Sequence, residues 1–207
     1  GVRLTYDKHM DQNVYVGFTE YGTTGLVNNP DATVSTVADG ASGNGNWATK
    51  TPGEILKDVN TALTATWAQA DYDLDAIPNH ILIPYEEYTH IMNTPFTLVS
   101  DGAQVAFSSI YEYIKKHNIA STNGGDLFIG ATQWCKGAGT GGTDRMVVYA
   151  NHERFVKMDE LVPLNRNMTA PNPTHFCYDT AYSANISEVE VMYPQTITYW
   201  DHIGGDN

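Results

Sequence analysis

The sequence predicts an α+β fold, with helices clustered in the middle of the chain and strands towards its end. Three observations carry this. Thr51-Pro52-Gly53-Glu54 is a complete helix start placed ahead of an apolar stripe. His80-Ile81-Leu82-Ile83 is an apolar run bracketed by Pro78 and Pro84, the mark of a buried strand. From Leu127 onward the apolar side chains recur with period two. A chain of 207 residues can bury a sizeable core as one large domain or two small ones. With 13 Tyr, 4 Trp and 6 Phe in a 42% hydrophobic composition, it has the apolar surface to offset the entropy of ordering.

Leu4, Lys8 and Gln12 keep helical spacing, and Val14-Tyr15-Val16 alternates, so the first segment reads as a helix end running into a short extended piece. Residues 17–29 are turn-rich, Thr33 to Val37 is a short strand, and Ala38 to Asn46, with three glycines, is a flexible loop. Thr51 then N-caps a helix whose Ile55, Val59, Leu63 and Trp67 form one face ending near Ala70. The strand at His80 to Ile83 leads through Pro84 to a helix over Tyr85 to Met92. A further helix is expected over Val105 to His117, with Phe107, Ile110, Tyr111 and Ile114 on one side.

Leu127 to Gly130 and Arg145 to Tyr149 read as two strands joined by a flexible hairpin loop, Gly137 to Thr143. Phe155 to Met158 and Leu161-Val162 are short strands, and Asn165 to Pro173 is an irregular loop. His175 to Tyr178 and Ile186 to Met192 alternate as strands, and Pro194 to Trp200 is expected as an edge segment, because proline cannot donate to a central ladder.

The formal charge of −13 argues against phosphate backbones and anionic membrane surfaces as ligands, since both are held by clustered Lys and Arg. Lys115-Lys116-His117 is the single compact basic group. No apolar run approaches the roughly 20 residues that span a bilayer. The opening residues, Gly1 to Lys8, are polar from the third onward and contain neither an initiator Met nor a signal peptide. Cys135 and Cys177 are isolated and expected as two reduced thiols.

Chemical templates fail in turn. The seven histidines, His9, His80, His90, His117, His152, His175 and His202, contain no i, i+4 pair and no H-E-x-x-H. The glycines between 137 and 142 lead into a strand and lack the G-K-[ST] of a phosphate loop. Gly22 to Gly25 lacks the third glycine of a dinucleotide fingerprint. Cys135 beside Trp134 has no assembled thiol-enzyme partners, and Glu86-Glu87, Asp159-Glu160 and Glu188 with Glu190 are acidic pairs without roles. Glu188 and Glu190 are expected on one solvated strand face. The sequence therefore assigns no catalytic, cofactor-binding or metal-ligating residue.

The order of the non-chemical motifs resembles the tailed-bacteriophage major capsid protein family, whose fold is shared with encapsulin shells. A helix end is followed by the Gly-rich turn with Gly25-Leu26-Val27-Asn28-Asn29-Pro30, then Trp47 ahead of the capped helix. Next come the Pro-bounded strand from Ile77 to Pro84 and Tyr85, Glu87 and Tyr88 opening a helix. The chain closes on Met192-Tyr193-Pro194-Gln195-Thr196-Ile197, then Tyr199, Asp201 and Ile203.

The resemblance implies a peripheral domain holding the end of a spine helix and antiparallel strands, and an axial domain with a mixed sheet flanked by helices. Residues 1–50 correspond to the first peripheral part, 51–161 to the axial domain and 162–207 to the return strands. The family's N-terminal arm and extended loop are absent ahead of residue 1, so a fragment or processed form is expected.

The implied role is structural and non-enzymatic. It is that of a virion subunit, made in the bacterial host cytoplasm, that self-assembles as hexamers and pentamers into an icosahedral shell around phage DNA. Its partners are itself, with scaffolding and portal proteins, and no cofactor, membrane or sequence-specific nucleic acid. Two alternatives stand beside it: an encapsulin-type compartment around cargo protein, and a small α+β hydrolase using Cys135 or a carboxylate pair.

Overall fold

A computed structural model describes residues 1–100, 103–122 and 124–205. In chain order the elements are α1 (Val2–Tyr15), β1 (Thr33–Thr36), α2 (Pro52–Gln69), β2 (His80–Ile83), α3 (Tyr85–Asn93), β3 (Pro95–Ser100) and β4 (Ala103–Ser109). There follow α4 (Ile110–Lys116), α5 (Ile119–Thr122), β5 (Phe128–Ala131), β6 (Arg145–Tyr149), β7 (Val156–Lys157), β8 (Glu160–Asn172), β9 (Cys177–Ile186), β10 (Glu190–Val191) and β11 (Ile197–Asp201). The chain divides into two units, residues 1–28 with 157–191 and residues 29–156 with 192–207.

The larger unit is built on a five-stranded mixed sheet of order β1-β11-β6-β2-β5. β11 runs parallel to β1 and antiparallel to β6, and β2 runs antiparallel to β6 and parallel to β5. Every residue of β6 is buried, as suits a strand covered on both faces, and Ile81, Leu82 and Ile83 of β2 are buried beside it. Helix α2 starts as its sequence dictates. The Glu54 N–H donates to Thr51 Oγ1 (3.4 Å) and the Thr51 N–H donates to Glu54 Oε2 (2.8 Å). Its stripe of Ile55, Val59, Ala62 and Leu63 is buried in one core with Trp47, Ile81, Ile83, Ile91, Ile114, Met146 and Val148. Thr66 on the same face meets Thr198 of β11 by a hydroxyl hydrogen bond of 2.5 Å. The loop ahead of α2 is tied down: the Ala41 N–H donates to Glu54 Oε1 (2.7 Å), and Lys50 Nζ, buried, donates to Asp58 Oδ2 (2.5 Å) and Ala38 O (2.6 Å).

In the smaller unit α1 continues through Val14 and Tyr15, so no extended piece forms there. Turning back from the helix end needs glycine. Gly17 has φ +68°, and a Cβ on Gly25 would lie 2.4 Å from the Tyr15 carbonyl carbon. Asn28 locks this turn, accepting from the Gly25 N–H (2.7 Å) and donating to Val16 O (2.8 Å). Asn13, buried on α1, donates to Ser187 O (2.8 Å), and Tyr6 donates to Glu160 Oε1 (2.7 Å).

Several other expectations are corrected. Residues 105–109 belong to β4, paired antiparallel with β3, and the helix begins only at Ile110. Ser109 is its N-cap, accepting from the Glu112 N–H (3.4 Å), and strand pairing overrides helical spacing upstream of that cap. The segment after Pro194 is not an edge. Pro194 sits in a short 3-10 turn before the strand, which frees β11 to lie between β1 and β6.

β5 and β6 are not hairpin neighbours, because β2 from earlier in the chain lies between them. Nor is their connection a loose loop: the Thr140 N–H donates to Asp201 Oδ2 (2.8 Å) and the Gly137 N–H to Asp144 Oδ1 (2.7 Å). The strand expected from Ile186 to Met192 is interrupted, since β9 ends at Ile186 and β10 holds only Glu190 and Val191.

Candidate assembly surface

Residues 165–173 and 175–178, expected as a loop and a short strand, belong to one long antiparallel hairpin instead. β8 and β9 pair from Glu160↔Ile186 to Asn172↔Cys177, with register shifts around residues 160–168. The pair forms a two-stranded sheet of its own. With two outer edges, Pro163 and Pro171 can sit where no ladder hydrogen bond is required. Polar cross-strand pairs close the hairpin: Asn167 Nδ2 donates to Ser183 Oγ (2.7 Å) and Asn172 Nδ2 to Asp179 Oδ2 (2.8 Å). At the tip Asn172 Oδ1 accepts from the Thr174 N–H (3.1 Å), and Phe176 adopts a left-handed φ of +51°.

The hairpin is exposed along nearly its whole length. Leu161, Met168, Tyr178 and Tyr182 face solvent, and Phe176 at the tip is 97% exposed. Glu160, Arg166 and Asp179 are its only acidic or basic residues other than His175, in a chain that carries 24 Asp and Glu. Unpaired strand edges, low charge and exposed large apolar side chains together describe a surface suited to contact with another polypeptide.

The residues weighed for chemistry are dispersed. Cys135 ends a 3-10 turn at Gln133–Cys135 and is fully buried, and burial pushes its thiol up to about 12, so it is a neutral thiol at physiological pH. Cys177 is exposed on β9, and both cysteines are free. Glu188 lies outside any strand, and Glu190 pairs with Lys157 (3.2 Å), so the two do not share a solvated strand face. Glu86 is salt-bridged to Lys136 at the surface, whereas its neighbour Glu87 is buried.

His80 is held by Asn79 (2.9 Å) and Asn151 (3.1 Å) between the rings of Phe128 and Tyr149, and burial lowers its pKa. The His117 ring lies against that of Tyr113, tilted by 35° with centroids 4.1 Å apart. Among the described residues, no three His, Cys, Asp or Glu side chains gather where they could hold a metal ion, and no helix is long and apolar enough to cross a membrane. Sequence reasoning missed the hairpin as a single unit. The available signal was its scarcity of charge combined with recurring Thr, Tyr and Asn.

Comparison with known proteins agrees with this architecture. The sequence profile described as major capsid protein matches residues 1–203. The capsid of Myoviridae Phage XM1 superposes with a TM-score of 0.74 at 19% identity, covering 95% of this chain and 61% of the phage chain. A virus-like particle from Pyrococcus furiosus superposes with a TM-score of 0.56 at 12% identity, covering 93% of this chain and 63% of the other. This chain thus spans less than two thirds of the length of either. No curated protein sequence matches it. The α+β fold is shared with that phage capsid and that virus-like particle, and with the profile matched over nearly its full length the chain belongs to the major capsid protein family.

Proposed function

We propose that this chain is a structural subunit, without catalytic activity, that assembles with copies of itself into an icosahedral shell enclosing phage DNA. The observation that carries the reading beyond family membership is the β8–β9 hairpin, an exposed, nearly uncharged strand pair with open edges. Heterologous contacts between identical subunits close into rings and shells when their rotation closes, and an extended hairpin is suited to reach a neighbour. In this reading the unit built on the five-stranded sheet takes the axial role, and the unit of α1 and the hairpin takes the peripheral role. Hexamers and pentamers are the assembly units, scaffolding and portal proteins are the accessory partners, and the virion is the final location after synthesis in the host cytoplasm. The −13 charge is consistent with a wall that does not grip the DNA it encloses.

Negative-stain electron microscopy and sedimentation of the full-length gene product test this. Hexamers, pentamers or closed shells are expected, and nuclease-protected DNA inside shells recovered from infected or induced cells separates a phage capsid from a compartment filled with protein. Met168→Glu with Phe176→Asp should abolish assembly while leaving the circular dichroism spectrum and melting temperature unchanged, because both side chains are exposed. A strict monomer at every concentration, or normal shells from the double variant, would overturn the assignment of the hairpin.

A further inference from the structure

Helix α3 opens with two adjacent glutamates that meet opposite environments. Glu86 is exposed and bonded to Lys136. Glu87 is 8% exposed, and Asp144, just ahead of β6, is 1% exposed. Glu87 Oε2 and Asp144 Oδ2 are both buried with no hydrogen-bond partner, and the two side chains border one cavity of about 400 Å³ together with Trp47, His90, Lys136 and Gly205.

Two ionised carboxylates are acceptors only, so neither can satisfy the other. A single proton turns the pair into an O–H···O⁻ hydrogen bond. The neighbouring groups do not remove that need. Lys136 is turned to Glu86, Arg145 is engaged by Asp201, and Cys135 is a neutral thiol. His90 lies one turn further along α3, and no third ligand completes a metal group among the described residues.

Residues 203–205 wrap this pair. A Cβ on Gly204 would sit 2.0 Å from Glu87 Oε1 and 2.8 Å from Asp144 Oδ2, so only glycine lets the backbone pass. The Asp144 N–H donates to Gly204 O (2.9 Å), the Ile203 N–H to Asp144 O (3.4 Å), and the Trp47 N–H to Ile203 O (2.8 Å).

We propose that Glu87 and Asp144 form a one-proton latch that closes residues 203–205 onto α3 and the start of β6, and that releases this segment when the proton leaves. Deprotonation brings two like charges together around Gly204, and moving the segment aside to admit water relieves the repulsion. Burial, followed by the charges of Asp144 and Glu86, pushes the Glu87 carboxyl up to about 7. A raised acid holds its proton more tightly in the closed form than in the open one. Closure is therefore favoured below that pH and weakens as pH rises through it. The latch stands on the geometry of this chain and does not depend on the shell assignment.

Amide hydrogen exchange of the full chain, corrected for intrinsic rates, tests it between pH 6 and pH 8. Protection of the Ile203, Asp144 and Trp47 amides, which tie this segment down, should fall about tenfold in the wild type. It should stay level in Glu87→Gln, whose amide donates permanently to Asp144, and in Asp144→Asn, which serves if the first variant misfolds. Equal pH slopes in wild type and variants would overturn the proposal. So would protection restored at pH 8 by Mg²⁺ or Ca²⁺, which would make the pair a metal site.

Discussion

Removing the charge of Arg145 should be among the most costly single changes in the larger unit, and the structure sets the scale. The antiparallel register places Arg145 opposite Asp201. Nε donates to Oδ1 (2.7 Å) and Nη2 to Oδ2 (3.1 Å), a two-pronged pair, and the guanidinium lies 4.4 Å from the Tyr199 ring centroid. Asp201 is fully buried and the Arg145 side chain is 10% exposed. Thr140 donates to the same carboxylate through N–H (2.8 Å) and Oγ1 (3.0 Å).

Arg145→Met keeps most of the stem and leaves Asp201 with Thr140 alone. Breaking a buried pair from one side costs about 3–5 kcal/mol, and the Thr140 bonds place this case towards the lower end. At ~2–4 °C per kcal/mol for a chain of this size, the melting temperature should fall by roughly 6–20 °C.

The pH dependence gives a second readout. Burial alone would raise the Asp201 carboxyl, but the hydrogen bonds from Arg145 and Thr140 outweigh it and hold the group below its ordinary value. A depressed acid contributes stability above its unfolded pKa, about 3.9, and that stability is lost as pH falls through the lower folded value. The gap between wild type and Arg145→Met should therefore narrow below pH ~4. Urea unfolding followed by tryptophan fluorescence at pH 7 and pH 3.5 measures both quantities. A loss under ~1 kcal/mol at pH 7, or a gap independent of pH, would refute the reasoning. Arg145→Met combined with Asp201→Leu should recover much of the loss, because no buried charge is then left unpaired.

Two further perturbations address the core and the helix start. Thr51→Ala removes the acceptor for the Glu54 N–H and should cost about 1 kcal/mol, read as a lower urea midpoint at unchanged slope, while Thr51→Ser stays near wild type. Ile55→Ala opens a cavity at a fully buried position on α2 and should cost about 2–5 kcal/mol in the same assay.

Local chemistry was readable where it is self-sufficient. The capping box of α2 uses Thr51 and Glu54, three residues apart, and forms as written. β2 declares itself by an apolar run between prolines. The turn at Gly25-Leu26-Val27-Asn28 closes through Asn28, and it opens the ordered motif set that carries the family resemblance. The expectations that failed concern strands, whose stabilising partners lie far along the chain. Residues 105–109 have helical spacing, yet their pairing with β3 decides their conformation.

What the sequence determined by itself was the α+β class, the main helix starts and the family resemblance, because caps, periodicity and turn residues act over a few positions. Only the tertiary structure decided that β11 is interior, that residues 160–186 form one exposed hairpin, and that Glu87 meets Asp144 across 57 positions of sequence. Sheet order and the sharing of one proton are set by distances between segments remote in sequence, and no local pattern of residues encodes those distances.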